Sequence, residues 1–105
     1  MRDYLFLMHP LPPGSNGNPG DWGPYLTRLR RTGRFGGGSS VGGGVCVSRS
    51  GVTPISTPLA GYIRVSADSI EDACALLEGN PVIEAGGTVE VRELPRLRPL
   101  RRETG

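Results

Sequence analysis

The stretch GYIRVSADSIEDACALLEGNPVIEAGGTVEVREL, residues 61–94, decides how this chain is read. In GYIRVS, Ile63 and Val65 alternate with Tyr62, Arg64 and Ser66, the period-2 pattern of a strand with one apolar face. Ser69 sits where a helix N-cap belongs, and Asp72 three residues on makes a weak capping box. Glu71 and Asp72 put negative charge in the first turn, where the macrodipole favours it. Ile70, Ala73, Cys74 and Leu77 recur at i, i+3, i+4 and i+7, one stripe of an amphipathic helix. Gly79 suits the C′ position, and Pro81 blocks continuation. After a turn at Gly86-Gly87, TVEVRE alternates again with Val89 and Val91 inward. The pattern predicts β-α-β, the helix covering the face to which the valines point.

The rest of the chain is read outward from this unit. Asp3 to His9 is an opening strand with Tyr4, Phe6 and Met8 on one face and Leu5, Leu7 and His9 on the other. Both faces are apolar, which marks a central strand covered on both sides. Pro10 to Gly20 is turn chemistry without periodicity. Asp21 can cap a first helix, Pro24 is tolerated in its first turn, and Trp22, Tyr25, Leu26 and Leu29 form its stripe. Arg28, Arg30 and Arg31 lie largely off that stripe, and Gly33 ends the helix. Arg34 to Ser48 reads as two glycine-rich strands with Ser50-Gly51 as a turn. The glycine runs at 36–38 and 42–44 lack the GK[ST] ending and following helix of a phosphate loop; in strands they predict bulges or close backbone approach.

These elements predict an α+β fold, a ferredoxin-like β-α-β-β-α-β sheet with helices on one face. Such a sheet leaves its second face bare, and a second copy of the same sheet is the economical cover. The expectation is a homodimer. Its single domain spans 1–94, followed by a basic tail at 95–105 whose arginines and prolines form no helix and carry no aromatics to stack bases.

Composition sets outer limits. A chain of 105 residues is one domain with a modest core. A net charge of +2 is too small to demand a polyanionic partner, so no nucleic-acid partner is expected. Two cysteines, Cys46 in a strand and Cys74 on the helix stripe, have no scaffold or metal spacing and read as buried reduced thiols of a cytoplasmic protein. The apolar run Tyr4 to Met8 is too short for a membrane span or a signal-peptide core.

Residues 61–94 also resemble the C-terminal half of the YCII-related family, in the branch named for a DGPF motif. The resemblance is carried by Gly61-Tyr62-Ile63, by Asp68-Ser69-Ile70-Glu71-Asp72-Ala73, by Asn80-Pro81, and by the run from Gly86 to Arg92. The N-terminal half is similar more loosely: an opening apolar strand, a Trp at the start of the first helix, a Gly-rich strand. The DGPF motif is absent; Val52 to Pro58 stands in its place with no acid. The resemblance implies a dimeric α+β barrel. Some members are thought to use a His-Asp pair, and neither position matches here.

Chemistry is sought among few residues. His9 is the single histidine and can serve as general acid or base, or as a satisfied structural histidine at a strand end. If the valines face the helices, then Tyr62, Arg64, Glu90 and Arg92 face the side that a dimer would enclose. There an Arg64–Glu90 or Arg92–Glu90 pair, or a ligand carboxylate or phenolate, satisfies the charges. His9 and Tyr62 are the candidates for moving a proton, with Arg64, Glu90, Arg92 and Trp22 for holding a substrate. One histidine with scattered acids makes no metal site, and no cofactor motif is present. Two readings result: a cofactor-independent enzyme of lyase, dehydratase or isomerase type acting on a small cyclic or aromatic metabolite, or a non-catalytic dimer that binds a small ligand or only assembles.

Overall fold

The computed structural model describes residues 1–15, 17 and 19–95. Its elements are β1 (Arg2–Met8), α1 (Trp22–Arg31, entered through a 3-10 turn at Pro19–Asp21), β2 (Phe35–Ser40), β3 (Val45–Ser48), β4 (Gly51–Pro54), β5 (Gly61–Ala67), α2 (Ile70–Ala75), α3 (Pro81–Glu84) and β6 (Val89–Leu94). The protein is α+β, with a four-stranded antiparallel sheet in the order β2-β5-β1-β6 and a separate hairpin, β3-β4. Of the basic tail expected at 95–105, residues 96–105 lie outside the described residues.

β1 is the middle of the sheet because both its faces are apolar. Phe6 stands opposite Ile63 on one side and Val91 on the other. Tyr4, Phe6 and Met8 share one core with Ile63, Val65 and Ala67 of β5, Tyr25 and Leu29 of α1, Ala73 of α2 and Val82 of α3. Val89 and Val91 pack against that core. The opposite face carries Leu5, Leu7, Tyr62, Arg64, Glu90 and Arg92, all partly or fully open to solvent.

The glycines of β2 serve close approach. The register shifts between Phe35 and Gly38, and Gly37 takes φ +110° inside this bulge. A Cβ on Gly38 would run into the Tyr62 carbonyl and the Ile63 backbone. At this position β2 can therefore lie so close to β5 only because the sequence offers no side chain.

Four expectations need correction. First, the glycine-rich segment does not supply two strands to one sheet. β3 turns back through Arg49-Ser50 into β4, which no alternation announced, and Val45, Val47, Val52 and Pro54 fall on one side of this hairpin. Val45, Val47 and Val52 are 60%, 74% and 65% exposed, so the ribbon stands clear of the core.

Second, α2 is only six residues long, under two turns, and its buried line is rotated. Ala73, Leu76 and Leu77 go inward, while Ile70 and Cys74 are exposed. The Tyr25 hydroxyl donates to the Leu76 carbonyl at 2.9 Å, which ties the turn after α2 to α1. Burial pushes the Tyr25 phenol pKa up, so the ring stays a neutral donor. With Cys74 outward and Cys46 only partly covered in β3, neither thiol is buried.

Third, Pro81 stops one helix by starting another. Asn80 is fully buried, and its Oδ1 accepts from Val82 N–H at 2.9 Å and Ile83 N–H at 3.4 Å, with proline at N1 of α3. Fourth, Asp21 occupies the N-cap position of α1 but makes no side-chain cap bond, because the preceding 3-10 turn holds it in helical backbone. Ser69 caps α2 as its sequence predicts, accepting from Asp72 N–H at 3.1 Å. Asp72 turns its own carboxylate to Asp68 N–H and to Arg34 rather than back to the cap.

No helix among the described residues is long and apolar enough to cross a membrane.

Candidate functional site

His9 continues the alternation of β1 one residue past its end. Its backbone N–H donates to the Thr88 carbonyl at 3.0 Å, which keeps the chain paired beside β6. The ring thus follows Leu5 and Leu7 onto the open side of the sheet. There Glu90, opposite Leu7 in register, reaches it: His9 Nε2 lies 2.9 Å from Glu90 Oε1. Arg92 Nη1 donates to the other carboxylate oxygen at 3.1 Å. The three side chains form a file, Arg92–Glu90–His9, built from one strand end and alternate positions of the edge strand.

The hydrogen bond from His9, and then that from Arg92, holds the Glu90 carboxyl below its usual range against a smaller opposing effect of desolvation. A carboxylate can only accept, so in the neutral imidazole Nε2 carries the proton and Nδ1 keeps its lone pair. A ring oriented in this way has one nitrogen committed to its support and one free to take a proton.

Beside this file lies a cleft of about 470 Å³ at the end of the sheet where Met8, Gly61 and Ser40 are paired. That volume is in the range of small-molecule sites. His9 and Tyr62 line it, and its walls are chiefly apolar, from Met8, Trp22, Leu26 and Phe35. Trp22 is braced edge-to-face against Tyr25, with centroids 5.9 Å apart at 73°.

The six candidates therefore separate. His9, Tyr62 and Trp22 all border the cleft, His9 and Tyr62 from the open face of the sheet and Trp22 from the helix side, while Glu90 and Arg92 lie with His9 on the open face. Arg64 is not on the lining; it pairs with Asp3 at 3.2 Å, an acid that Ser66 also approaches. Of the two pairings foreseen for Glu90, the one with Arg92 forms and the one with Arg64 does not. Arg30 was not foreseen at all. Trp22, Leu26 and Arg30 recur every four residues, which puts them on one helix flank beside the stripe of Tyr25 and Leu29. Its guanidinium lies over the Phe35 ring, 5.2 Å from the centroid. Among the described residues, no group of three or more His, Cys, Asp or Glu side chains gathers to hold a metal ion.

Two depressed carboxyls make stability fall in acid. Asp72 is held below its ordinary value of 3.8 by the Asp68 N–H and then by Arg34, as Glu90 is held below 4.5. Both bind protons more weakly folded than unfolded, so their contribution is complete above the ordinary carboxyl range and is lost as pH falls through the depressed values. Urea midpoints measured from pH about 6 to about 3 should decline over the lower part of that span. Glu90→Gln should flatten part of the decline; an unchanged slope would remove the Glu90 contribution.

No family model matches the chain, and no curated protein does.

Proposed function

We propose that this protein is a small cofactor-independent enzyme of lyase, dehydratase or isomerase type, in which His9 moves a proton on a small cyclic or aromatic metabolite held in the cleft. The observation that carries the reading is the 2.9 Å contact of His9 with Glu90 at the edge of an apolar cleft. A general base needs an oriented ring beside a place for its substrate, and the Glu90 contact next to a largely apolar cleft supports that reading. Tyr62 lines the same cleft and is the second group able to donate or accept a proton. Glu90 fills, from the last strand, the role of the acid that the chain lacks between Val52 and Pro58.

The wider architecture belongs to the same proposal. With the β3-β4 hairpin set aside, the strand order second-third-first-fourth and helices packed on one face support a ferredoxin-like sheet. Two copies packed open face to open face would make the dimeric α+β barrel that the YCII resemblance implies. Leu5, Leu7 and Tyr62, the last 38% exposed, would then leave water. The free thiols fit a reducing compartment such as the cytoplasm. Sedimentation velocity at micromolar concentration should report a dimer, and Leu7→Glu should shift it to monomer. A wild-type monomer at that concentration removes the barrel.

One observation favours the second reading, a non-catalytic YCII-like assembly module: the exposed valines of the β3-β4 hairpin form an apolar ribbon away from the cleft. Uptake of deuterium from D2O into a panel of small cyclic and aromatic acids and ketones, followed by NMR, separates the two. Catalysed exchange with any of them supports the enzyme, and a panel inert beside buffer hands the lead to the assembly module.

A further inference from the structure

Among the described residues the cleft has one cation on its wall and no acid, and that asymmetry points to what it holds. Of the arginines that meet acids, Arg34 takes Asp72, Arg64 takes Asp3 and Arg92 takes Glu90. Arg30 lines the cleft and takes none among the described residues; it rests on Phe35 alone. A guanidinium placed over a ring face spends none of its N–H groups on a hydrogen bond to that ring's edge, so its fork stays available to a carboxylate through two parallel hydrogen bonds. Among the described residues no Asp or Glu lines the cleft, and Glu90, which meets His9 at its edge, is itself paired with Arg92. Between Arg30 and His9 the surface is rings and aliphatic chains, from Trp22, Leu26 and Phe35.

We infer that the cleft binds a small hydrophobic monoanion, an aromatic or alicyclic carboxylate, with the carboxylate on Arg30 and the ring against Trp22 and Phe35. The inference rests on the proposed reading of the cleft as a ligand site and names the chemical class of that ligand. It also orients it: a molecule anchored by its carboxylate at Arg30 lays its ring on the apolar wall and offers its far end to the other polar groups of the lining. The arginines that the open sheet face supplies, Arg64 and Arg92, have their own carboxylates and are not the anchors.

Trp22 is the sole tryptophan, so its emission reports occupancy directly. The full chain is titrated with two matched pairs, benzoate against benzamide and cyclohexanecarboxylate against cyclohexanecarboxamide. Each acid should bind about 10- to 100-fold more tightly than its amide, the effect of a hydrogen bond to a charged group. Arg30→Gln should abolish that gap, while Arg31→Gln, one residue along and off the lining, should keep it at the same change in net charge. Equal affinities of acid and amide in the wild type overturn the inference without need of any variant, as does a gap that survives in Arg30→Gln. Absence of any response at millimolar acid overturns it as well. His9→Asn in the same titration tells the two proposals apart. The gap should persist in His9→Asn even as exchange is lost; in the wild type, a gap without any deuterium exchange sinks the catalysis and leaves the binding, and exchange without a gap does the reverse.

Discussion

Replacing His9 with asparagine lowers the rate of deuterium exchange into a responsive substrate by about 10²–10⁴-fold, the usual contribution of general acid–base catalysis. The fold survives, because His9 is only partly buried and its backbone bond to Thr88 does not involve the ring. Asparagine can still donate to Glu90, so the acid is not orphaned. What disappears is a group able to take a proton and return it. Glu90→Gln is the informative companion. A glutamine amide can present its N–H to Nε2, which drives the ring proton to Nδ1 and closes the nitrogen that acts as base. Glu90→Gln should therefore slow exchange while leaving affinity for the ligand intact. Exchange in His9→Asn at the wild-type rate, with a lowered melting temperature, would falsify the catalytic role and leave a structural histidine.

Phe6→Ala removes the largest share of stability that one substitution is expected to take. Phe6 is fully buried in the central strand, flanked by Ile63 and Val91, with helices over it. No neighbouring element can close the void without breaking the pairing of β1, so the loss is about 3–5 kcal/mol. Set against the roughly 5–15 kcal/mol that a small domain holds, this leaves the chain at the edge of folding. Ile70→Ala is the control for helix phase. The sequence stripe makes Ile70 a core residue, yet it is 45% exposed, and its truncation should change the urea midpoint by no more than about 0.5 kcal/mol. A large loss at Ile70 would mean that α2 is turned as its sequence stripe suggests.

That contrast shows where residue pattern was sufficient. Alternation in β1, β5 and β6 located the core face and the polar side chains opposite it, because a period of 2 leaves no freedom about which residues point together. Ser69 announced its helix, since an N-cap is a local bond. The phase of α2 was not legible because fewer than two turns carry too few apolar residues to average out an exposed isoleucine. Pro81 reads equally as a stop or as an N1 start, and only the burial of Asn80 distinguishes them. β3 and the turn after it were legible in Val45, Val47 and Ser50-Gly51, but β4 was not, as Gly51-Val52-Thr53-Pro54 runs without a break into the loop-like Ile55-Ser56-Thr57-Pro58. The link between His9 and Glu90 required knowing that β6 lies beside β1, a register that no local signal gives. Arg30 was hidden by a narrower rule: a cation beside an apolar stripe is normally solvated, and only the cleft makes it a wall residue.

The central position of β1 has a consequence for how the chain is made. Among the strands of its sheet β1 leaves the ribosome first, yet its partners are residues 61–67 and 89–94. At roughly 5–20 residues per second, about 5–18 s separate the synthesis of residue 3 from that of its partner, residue 94. Until residues 61–67 arrive, Tyr4-Leu5-Phe6-Leu7-Met8 presents both backbone edges unpaired, and one of them until residues 89–94 follow, with five apolar side chains in a row, the kind of segment that nucleates intermolecular β pairing. Closure over so long a separation is the slow, late event of assembly. Soluble yield in a cell thus depends less on the stability of the finished sheet than on what shields residues 4–8 until the last strand arrives.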